Sequence, residues 1–207
     1  DFDEAFFRRF NVVLVTEYPA IKPDAPRNSN LHVRPDYERK VRRLLWGFAE
    51  DGGGLLVYTG SWPIKWKPAN RLLKRWDLRF LNEQVLDPSH HFTQKGGMEW
   101  DYCYTDNVRE HPATRGVEKI FYPLRDLYGP GNRPFEAGPE WDVLIRGTQQ
   151  ASSHPVERRE QFHRPVRSGI GTFDTAPPLA AVRDAGEGRV MVYGWSPIHT
   201  FFDYDHF

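Results

Sequence analysis

The chain has 207 residues, enough for one well-filled hydrophobic core, and we expect a single domain over residues 1–207. Lys and Arg together number 28, as do Asp and Glu, so the formal net charge is zero. This balance disfavours nucleic acid as a partner. A single cysteine excludes an internal disulfide and a cysteine-based zinc cluster, and leaves the compartment open. No apolar run reaches the roughly 20 residues of a membrane-spanning helix, so we expect no membrane span.

Four apolar runs predict buried strands. They occupy residues 11–15, 54–58, 142–146 and 189–193. Each run is continuous and rich in Val, Leu and Ile, a pattern typical of strands that helices cover on both faces. The runs therefore indicate an α/β domain.

A helix is predicted between the first two runs. Pro35 gives its start signal, the glycines at 52–54 give its stop, and apolar residues recur at helical spacing between them: Tyr37, Val41, Leu44, Leu45 and Phe48. A strand, a crossover helix and a second strand form a unit that is almost always right-handed, with its two strands parallel.

A second helix is predicted over residues 69–80, and its basic side chains are expected to form a solvated face: Arg71, Lys74, Arg75 and Arg79. Residues 129–139 are rich in turn residues and predict a loop, and residues 151–178 form a long polar excursion. We therefore expect long insertions near residues 61–100 and 150–178, which in a compact domain often form lids or partner surfaces.

Polar and aromatic residues follow each predicted strand. Open parallel sheets bind ligands beyond the carboxyl ends of their strands. The candidate ligand-binding residues at this strand-end rim are Glu17, Thr59, Ser61, Trp62, Thr148, Gln149, Trp195 and His199. Capping of strand ends and of loop backbone is the competing interpretation of the same residues.

The motifs argue against the common catalytic sites. Ser61, His199 and Glu17 could form a nucleophile, base and acid set, but "YTGSWPI" lacks the Gly-x-Ser-x-Gly elbow. Cys103 lies between aromatic residues, as a packed thiol does. The histidines lack metal-ligand spacing, and the glycines at 52–54 follow a helix and open a strand, the reverse of a phosphate loop. We expect no catalytic residue, no metal and no cofactor.

Five segments carry a family resemblance through their order: "FNVVLVTEYP", "EDGGGLLVYTG", "VREHPATRGV", "EWDVLIRGTQQA" and "PPLAAVRDAGEGRVMVYG". From about residue 10 to residue 195 the chain resembles the class I glutamine amidotransferase-like domains, including their trehalose-utilisation (ThuA-like) branch. The resemblance implies an α/β flavodoxin-like three-layer sandwich with a mainly parallel central sheet and a late hairpin or strand pair. It also implies that the family's first strand-helix unit is absent here or replaced by a partner.

The chain departs from this family at its catalytic motifs. Amidotransferases carry a Gly-x-Cys-x-Gly elbow and a downstream His-x-Glu, and this sequence has neither. Many superfamily members are noncatalytic modules of larger bacterial proteins. The leading hypothesis is a catalytically degenerate domain that serves as a binding or assembly module, with a protein partner or further domains of a larger chain.

Two other classes of function stay open. One is a ThuA-like enzyme that acts on a carbohydrate or another small polar ligand at the strand-end rim, with Trp62, Trp66 and Trp195 for sugar stacking. The other is an oligomer-interface protein, in which another chain completes an edge of the sheet.

Overall fold

The computed structural model describes residues 3–16, 18–24, 32–59, 66–93, 101–126, 129–157, 166–167 and 169–195. Its α-helices are α1 (Glu4–Phe7), α2 (Pro35–Glu50) and α3 (Trp66–Leu73). Short 3₁₀ turns span Lys74–Trp76 and Pro112–Thr114. The strands are β1 (Val12–Val15), β2 (Ala20–Ile21), β3 (His32–Val33), β4 (Gly54–Tyr58), β5 (Leu78–Phe80), β6 (Glu83–Leu86), β7 (His91–Thr93), β8 (Asp101–Thr105), β9 (Ile120–Pro123), β10 (Arg125–Asp126), β11 (Gly129–Pro130), β12 (Phe135–Ala137), β13 (Asp142–Arg146), β14 (Ser152–Glu157), β15 (Val166–Arg167), β16 (Pro178–Ala185) and β17 (Gly188–Tyr193).

The central sheet has five strands in the order β1-β4-β17-β16-β13. β1, β4 and β17 run parallel, whereas β16 pairs antiparallel with both β17 and β13. All four apolar runs of the sequence are strands of this sheet, as predicted. The expected late strand pair is confirmed as the β16–β17 hairpin.

Helix α2 connects β1 to β4 as the sequence predicts. It begins at Pro35, whose fixed backbone and missing N–H suit the first helical position. It ends at Glu50, and two residues later Gly52 takes a φ of 106° that favours glycine and lets Gly53 donate its N–H to the carbonyl of Phe48 (2.9 Å). The glycines at 52–54 therefore end a helix and open β4, which is a structural role.

The second predicted helix is shorter than expected. α3 ends at Leu73, and after one 3₁₀ turn Asp77 takes a left-handed φ of 53° that redirects the chain into β5. The expected solvated basic face is wrong for Arg71, which is half-buried and donates to the carbonyl of Pro19 (3.1 Å). Arg75 forms an ion pair with Glu50.

One face of the central sheet packs against the helices. Leu45 and Ala49 of α2 contact this face, together with buried residues of α1, of α3 and of the strands themselves. Alternating strand residues supply the sheet's share of this core: Val15, Leu55, Val57, Ala181, Val190 and Val192. These side chains are at most 9% exposed.

Small antiparallel sheets cover part of the opposite face. They comprise β7-β8-β9 and β15-β14-β6, and their buried residues pack against Ala180 and Val182 of β16 and Tyr193 of β17. No helical residue belongs to this second core among the described residues. The two faces of the central sheet are thus covered by different kinds of structure.

The β1–β4 end of this second face is not covered by the described residues. Val12 and Leu14 of β1 are 51% and 57% exposed. Leu56 of β4 lies beside Leu14 in the sheet register and is partly exposed. Met191 of β17 lies beside Leu56, is also partly exposed, and contacts the edge of the second core. We refer to Val12, Leu14, Leu56 and Met191 as the open strip.

The expected flavodoxin-like sandwich is wrong. The sheet is mixed because the β16–β17 hairpin places an antiparallel strand between β17 and β13. Strands, not a second layer of helices, cover the face opposite α2. The fold is α/β with a mixed five-stranded sheet and several small antiparallel sheets.

The expected loops also contain strands. The stretch 129–139 includes β11 and β12, and the excursion 151–178 includes β14 and β15. Among the described helices, none combines the length and the hydropathy that crossing a membrane requires.

Candidate functional site

The strand-end rim exists as a physical edge. β1, β4 and β17 are parallel, and β13 runs in the same direction because both β13 and β17 are antiparallel to β16. Their carboxyl ends therefore lie at one edge, which carries four of the candidate residues: Thr59, Thr148, Gln149 and Trp195. The other four candidates, Glu17, Ser61, Trp62 and His199, lie outside the described residues.

Thr59 and Trp195 are buried in structural positions. The Thr59 N–H donates to the carbonyl of Tyr193 (3.2 Å) and extends the β4–β17 pairing, and Thr59 is only 3% exposed. Trp195 is 4% exposed, with its ring centroid 5.1 Å from that of Tyr193 and 6.4 Å from that of Tyr122. This geometry favours strand capping and core packing over an open ligand contact for both residues.

Thr148 belongs to a buried polar cluster with Asp87 and His90. Its hydroxyl donates to the Asp87 carboxylate (2.5 Å), which also accepts the N–H groups of Ser89 and His90 at 3.0 Å each. The Nδ1 atom of His90 lies 3.1 Å from the same carboxylate. Asp87 is 1% exposed, so these donors compensate the burial of its charge.

Gln149 is the exposed member of the described candidates. The hydroxyl of Thr175 donates to its carbonyl oxygen (2.9 Å) and lies 3.1 Å from its Oε1. These contacts join the end of β13 to the segment that precedes β16. They give Gln149 a loop-fastening role and leave its side chain at the surface.

A second buried cluster, centred on Glu38, lies at the end of β1. Glu38 is 1% exposed, and it accepts a hydrogen bond from the hydroxyl of Tyr18 (2.9 Å). Arg71 and Arg42 lie 3.5 Å and 3.6 Å from its Oε1. Burial and the adjacent Glu38 charge raise the pKa of Tyr18, so its phenol stays protonated as a donor. This cluster fastens α2 and α3 to the end of β1.

Arg133 is a buried cation without an acidic partner among the described residues. It is 3% exposed, and its Nη1 donates to Asn82 Oδ1 (3.2 Å) and, at 3.4 Å, to the carbonyl of Leu81. Its guanidinium carbon lies 5.4 Å from the ring centroid of Trp66. Burial lowers the pKa of Arg133 to about 9. Its backbone N–H donates to the carbonyl of Gly194, which places it beside the end of β17.

Cys103 is a packed thiol, as the sequence predicts. It is fully buried in β8, within the core that packs against the second face of the central sheet, and donates to the carbonyl of Asp87 (3.6 Å). The neighbouring Tyr122 is also fully buried, and its hydroxyl makes no well-formed hydrogen bond to a described residue. Burial, with Cys103 and Asp87 acting in the same direction, raises the pKa of Tyr122.

The chemistry of the described rim is limited. The Asp87–His90 pair has the geometry that orients a general base, but no described hydroxyl or thiol completes a nucleophile and base set with His90 in the way that Ser and His do in hydrolases. Within the described ranges, no group of three or more His, Cys, Asp or Glu side chains could hold a metal ion. The carboxylates of Glu38 and Asp87 both have donors within their clusters, whereas Arg133 is a buried cation that faces no carboxylate among the described residues.

Sequence reasoning found Thr148 but missed its partners. Asp87 and His90 lie in "LDPSHH", where Asp-Pro-Ser is a turn signal that predicts side-chain bonding to nearby backbone. Glu38 falls in the first turn of α2, where an acid suits the helix dipole and gives no hint of burial. Nothing in the local sequence of Arg133 predicts that it is buried, because its environment comes from segments distant along the chain.

The fold is shared with solved structures of low sequence identity. The Cytoplasmic Protein STM1381 from Salmonella typhimurium LT2 matches with a TM-score of 0.54 and 14% identity, over 98% of this chain and 69% of that one. The mmIFT52 N-terminal domain matches with a TM-score of 0.56 and 10% identity, over 98% and 80%. At these identities the likeness establishes the fold alone.

A weaker likeness supports no conclusion. The Cytoplasmic Protein STM3548 from Salmonella typhimurium has a TM-score of 0.44 and 14% identity, over 92% of this chain and 62% of that one. No protein-family model and no curated protein sequence matches the chain.

Proposed function

We propose that the chain is a noncatalytic, amidotransferase-like assembly module that associates through its open strip. The observation that carries the proposal is the exposure of Val12 and Leu14, at 51% and 57%, in a strand whose other side chains face the core. Exposed apolar residues that cluster on one surface mark interaction sites more often than scattered ones do. β1 is also the outermost strand of the sheet, and no described strand pairs with its outer edge.

The occupant that we propose for the open strip is a second copy of the chain. The strip is uncharged and apolar, so it is complementary to itself, and a net charge of zero causes no overall repulsion between copies. Arg189 and Asp184 lie on the same face and form an ion pair at 3.1 Å, with 72% and 80% of their side chains exposed. A two-fold axis would place these opposite charges against their counterparts.

Sedimentation velocity over a range of protein concentrations tests this proposal. We expect a reversible dimer, and we expect Leu14→Asp to weaken it by a factor of about 20 or more, because a charge would then be buried at the interface. Ile170→Asp is the matched control, since Ile170 is 58% exposed and lies outside the open strip. A wild-type chain that stays monomeric at about 100 μM, or equal weakening by both substitutions, would refute the assembly.

The noncatalytic part of the proposal has its own test. A nucleophilic cysteine is exposed enough to react with a disulfide reagent, whereas Cys103 is fully buried in a strand. We expect modification of Cys103 in the folded protein to be slower than in urea by a factor of about 100 or more, because it requires local unfolding. Fast modification of the folded chain would contradict this expectation.

Arg133 supports a second candidate function, the binding of a small anionic molecule at the strand-end rim. A buried guanidinium with no facing carboxylate among the described residues is suited to a carboxylate or phosphate group, and Trp66 offers an adjacent aromatic face. Titration with neutral sugars, sugar phosphates and sugar acids, followed by tryptophan fluorescence, tests it. We expect only the anionic ligands to change the signal and Arg133→Met to abolish the change. An equal response in the variant would exclude this role of Arg133.

A further inference from the structure

A groove of about 970 Å³ lies between α1 and α2, on the helical side of the molecule. Phe7, Phe10, Leu44 and Phe48 give it an apolar floor, and Phe10 is 41% exposed. Its rim carries one cation from the short segment that follows α1 and three from α2: Arg8, Arg39, Lys40 and Arg43. We call this surface the basic groove. It lies apart from both the strand-end rim and the open strip.

The cations of the basic groove are not neutralised from within. Arg8, Arg39, Lys40 and Arg43 are exposed, and none forms an ion pair with a described residue. The lining of the groove also contains three acids. Asp36 is paired with Arg34 (3.6 Å), Asp51 lies just beyond the end of α2, and Glu4 lies in α1. The middle of the α2 face is therefore positively charged.

Gly47 is the second unusual feature of the basic groove. It lies in the interior of α2, where glycine costs about 1 kcal/mol of helix stability relative to alanine. A Cβ atom at this position would meet nothing within 4 Å, so the packing of the described residues does not require glycine. A glycine that faces open space lets another backbone approach closely. Gly47 itself lines the groove, one helical turn after Arg43.

We propose that the basic groove binds an acidic amphipathic helix of a partner protein. The carboxylates of that helix would face Arg39, Lys40 and Arg43, and its apolar side chains would contact Phe10 and Leu44. Close approach at Gly47 brings the two helix backbones together. Such a helix-in-groove interaction uses charge for orientation and apolar anchors for affinity.

The shape of the groove favours a chain segment over a compact anion. Its lining runs from Asp36 to Asp51 along α2, which is about 22 Å at 1.5 Å per residue. Its cations are spread along this length and exposed, whereas a small anion is held by donors that converge on one point. A row of separate carboxylates on a helix matches the spread cations, and the aromatic floor gives the same helix an apolar contact.

Fluorescence anisotropy with a labelled synthetic peptide tests the proposal. The probe is a 16-residue amphipathic helix with Glu on one face and Leu and Phe on the other. A peptide of the same composition in scrambled order keeps the charge and loses the apolar face. We expect the amphipathic peptide to bind with a dissociation constant in the micromolar range and the scrambled one to bind at least tenfold more weakly.

Three variants locate the binding. The double variant Arg39→Glu and Arg43→Glu should bind the amphipathic peptide at least tenfold more weakly. Arg115→Glu, which reverses an exposed charge outside the groove, should leave the affinity for the peptide unchanged. Gly47→Leu should block binding by filling the groove while leaving thermal stability equal or higher, because a Cβ atom at this position meets no described atom within 4 Å and leucine is a better helix former. A loss of binding from misfolding would instead lower the melting temperature.

Each alternative outcome overturns the proposal. Equal binding of the scrambled peptide would indicate a general polyanion surface, and binding that survives Gly47→Leu would place the peptide elsewhere. No binding at about 100 μM peptide would exclude the site. Leu14→Asp, which tests the open strip, should leave peptide binding unchanged, so the failure of one surface is distinguishable from the failure of the other.

Discussion

The two faces of the central sheet use neighbouring residues of the same strands and have different surroundings. Leu55 faces the helices and is 2% exposed, whereas Leu56, the next residue, belongs to the open strip on the other face and is partly exposed. In β1, Val15 is buried and Leu14 is 57% exposed. A continuous apolar run therefore predicts a strand, and it does not show that the described part of the chain covers both faces of that strand.

The other half of the same sheet completes the comparison. In β16, Ala181 faces the helical core and Ala180 and Val182 face the core built by the small antiparallel sheets, and all three are buried. Both faces are covered there by the described part of the chain. The β16 half of the sheet is thus covered on both faces, whereas the β1–β4 half is covered on one face only by the described residues. The following predictions test that difference.

The largest expected effect is at Glu38, which fastens the helical layer. Glu38→Ala leaves Arg71, Arg42 and the Tyr18 hydroxyl without their buried acceptor, so we expect a loss of about 3–5 kcal/mol in the free energy of unfolding. Urea denaturation measures it. Glu38→Gln, which keeps an acceptor for Tyr18 and removes the charge, should cost less. A loss below about 1 kcal/mol for Glu38→Ala would mean that the cluster does not hold the layer.

The next prediction compares the two faces by making the same Leu→Ala change on each. Leu55→Ala on the covered face should lower the free energy of unfolding by about 3 kcal/mol, because it leaves a cavity in a packed core. Leu14→Ala in the adjacent strand should change the stability of the monomer by less than about 0.5 kcal/mol. Both are measured by urea denaturation at low protein concentration. Equal losses would show that Leu14 is covered after all.

The smallest expected effect is at Tyr122, which packs in the core beside the half of the sheet that is covered on both faces. Its buried hydroxyl makes no well-formed hydrogen bond to a described residue, so Tyr122→Phe should raise the free energy of unfolding by about 1 kcal/mol. Burial raises the pKa of Tyr122 above the ordinary value of 10.0, so the folded state holds this proton where the unfolded chain has lost it. Its contribution is present below pH 10 and is lost as the pH rises above 10.

Thermal melts of wild type and Tyr122→Phe between pH 8 and about 11 check the direction in which stability changes with pH. The wild type should lose stability above pH 10 more steeply than the variant, so the variant's advantage should grow with pH. Parallel curves would show that the Tyr122 phenol ionises in the folded state as readily as in the unfolded chain.

The sequence predicted the elements that depend on local pattern. The four apolar runs and α2 were found because continuous Val, Leu and Ile, helical spacing, and the Pro35 and Gly52 signals act within a few residues. β16 was found only through the family resemblance, because "PLAAVRDA" has small and polar residues and no long apolar run. Its direction made the sheet mixed and the expected flavodoxin-like sandwich wrong.

The candidate site was harder to predict because burial is a property of distant contacts. The place of Thr148 after a strand predicts its position at the rim, but Asp87, which accepts the hydrogen bond from its hydroxyl, is 61 residues away along the chain. Arg133 looks like any surface arginine until Asn82 and Trp66 pack around it. Glu17, Ser61, Trp62 and His199 lie outside the described residues, so their predicted role at the rim stays a prediction.

The position of β17 has a consequence for the order of folding. It is the last strand described along the chain, yet it lies in the middle of the sheet, between β4 and β16. Until it is synthesised and inserted, β4 has an unpaired inner edge and β1, α2 and β4 can form only a partial layer. Formation of the central sheet must therefore wait for contacts between residues more than 130 positions apart, such as Leu55 with Val190. Slow, late completion of the sheet follows from that placement.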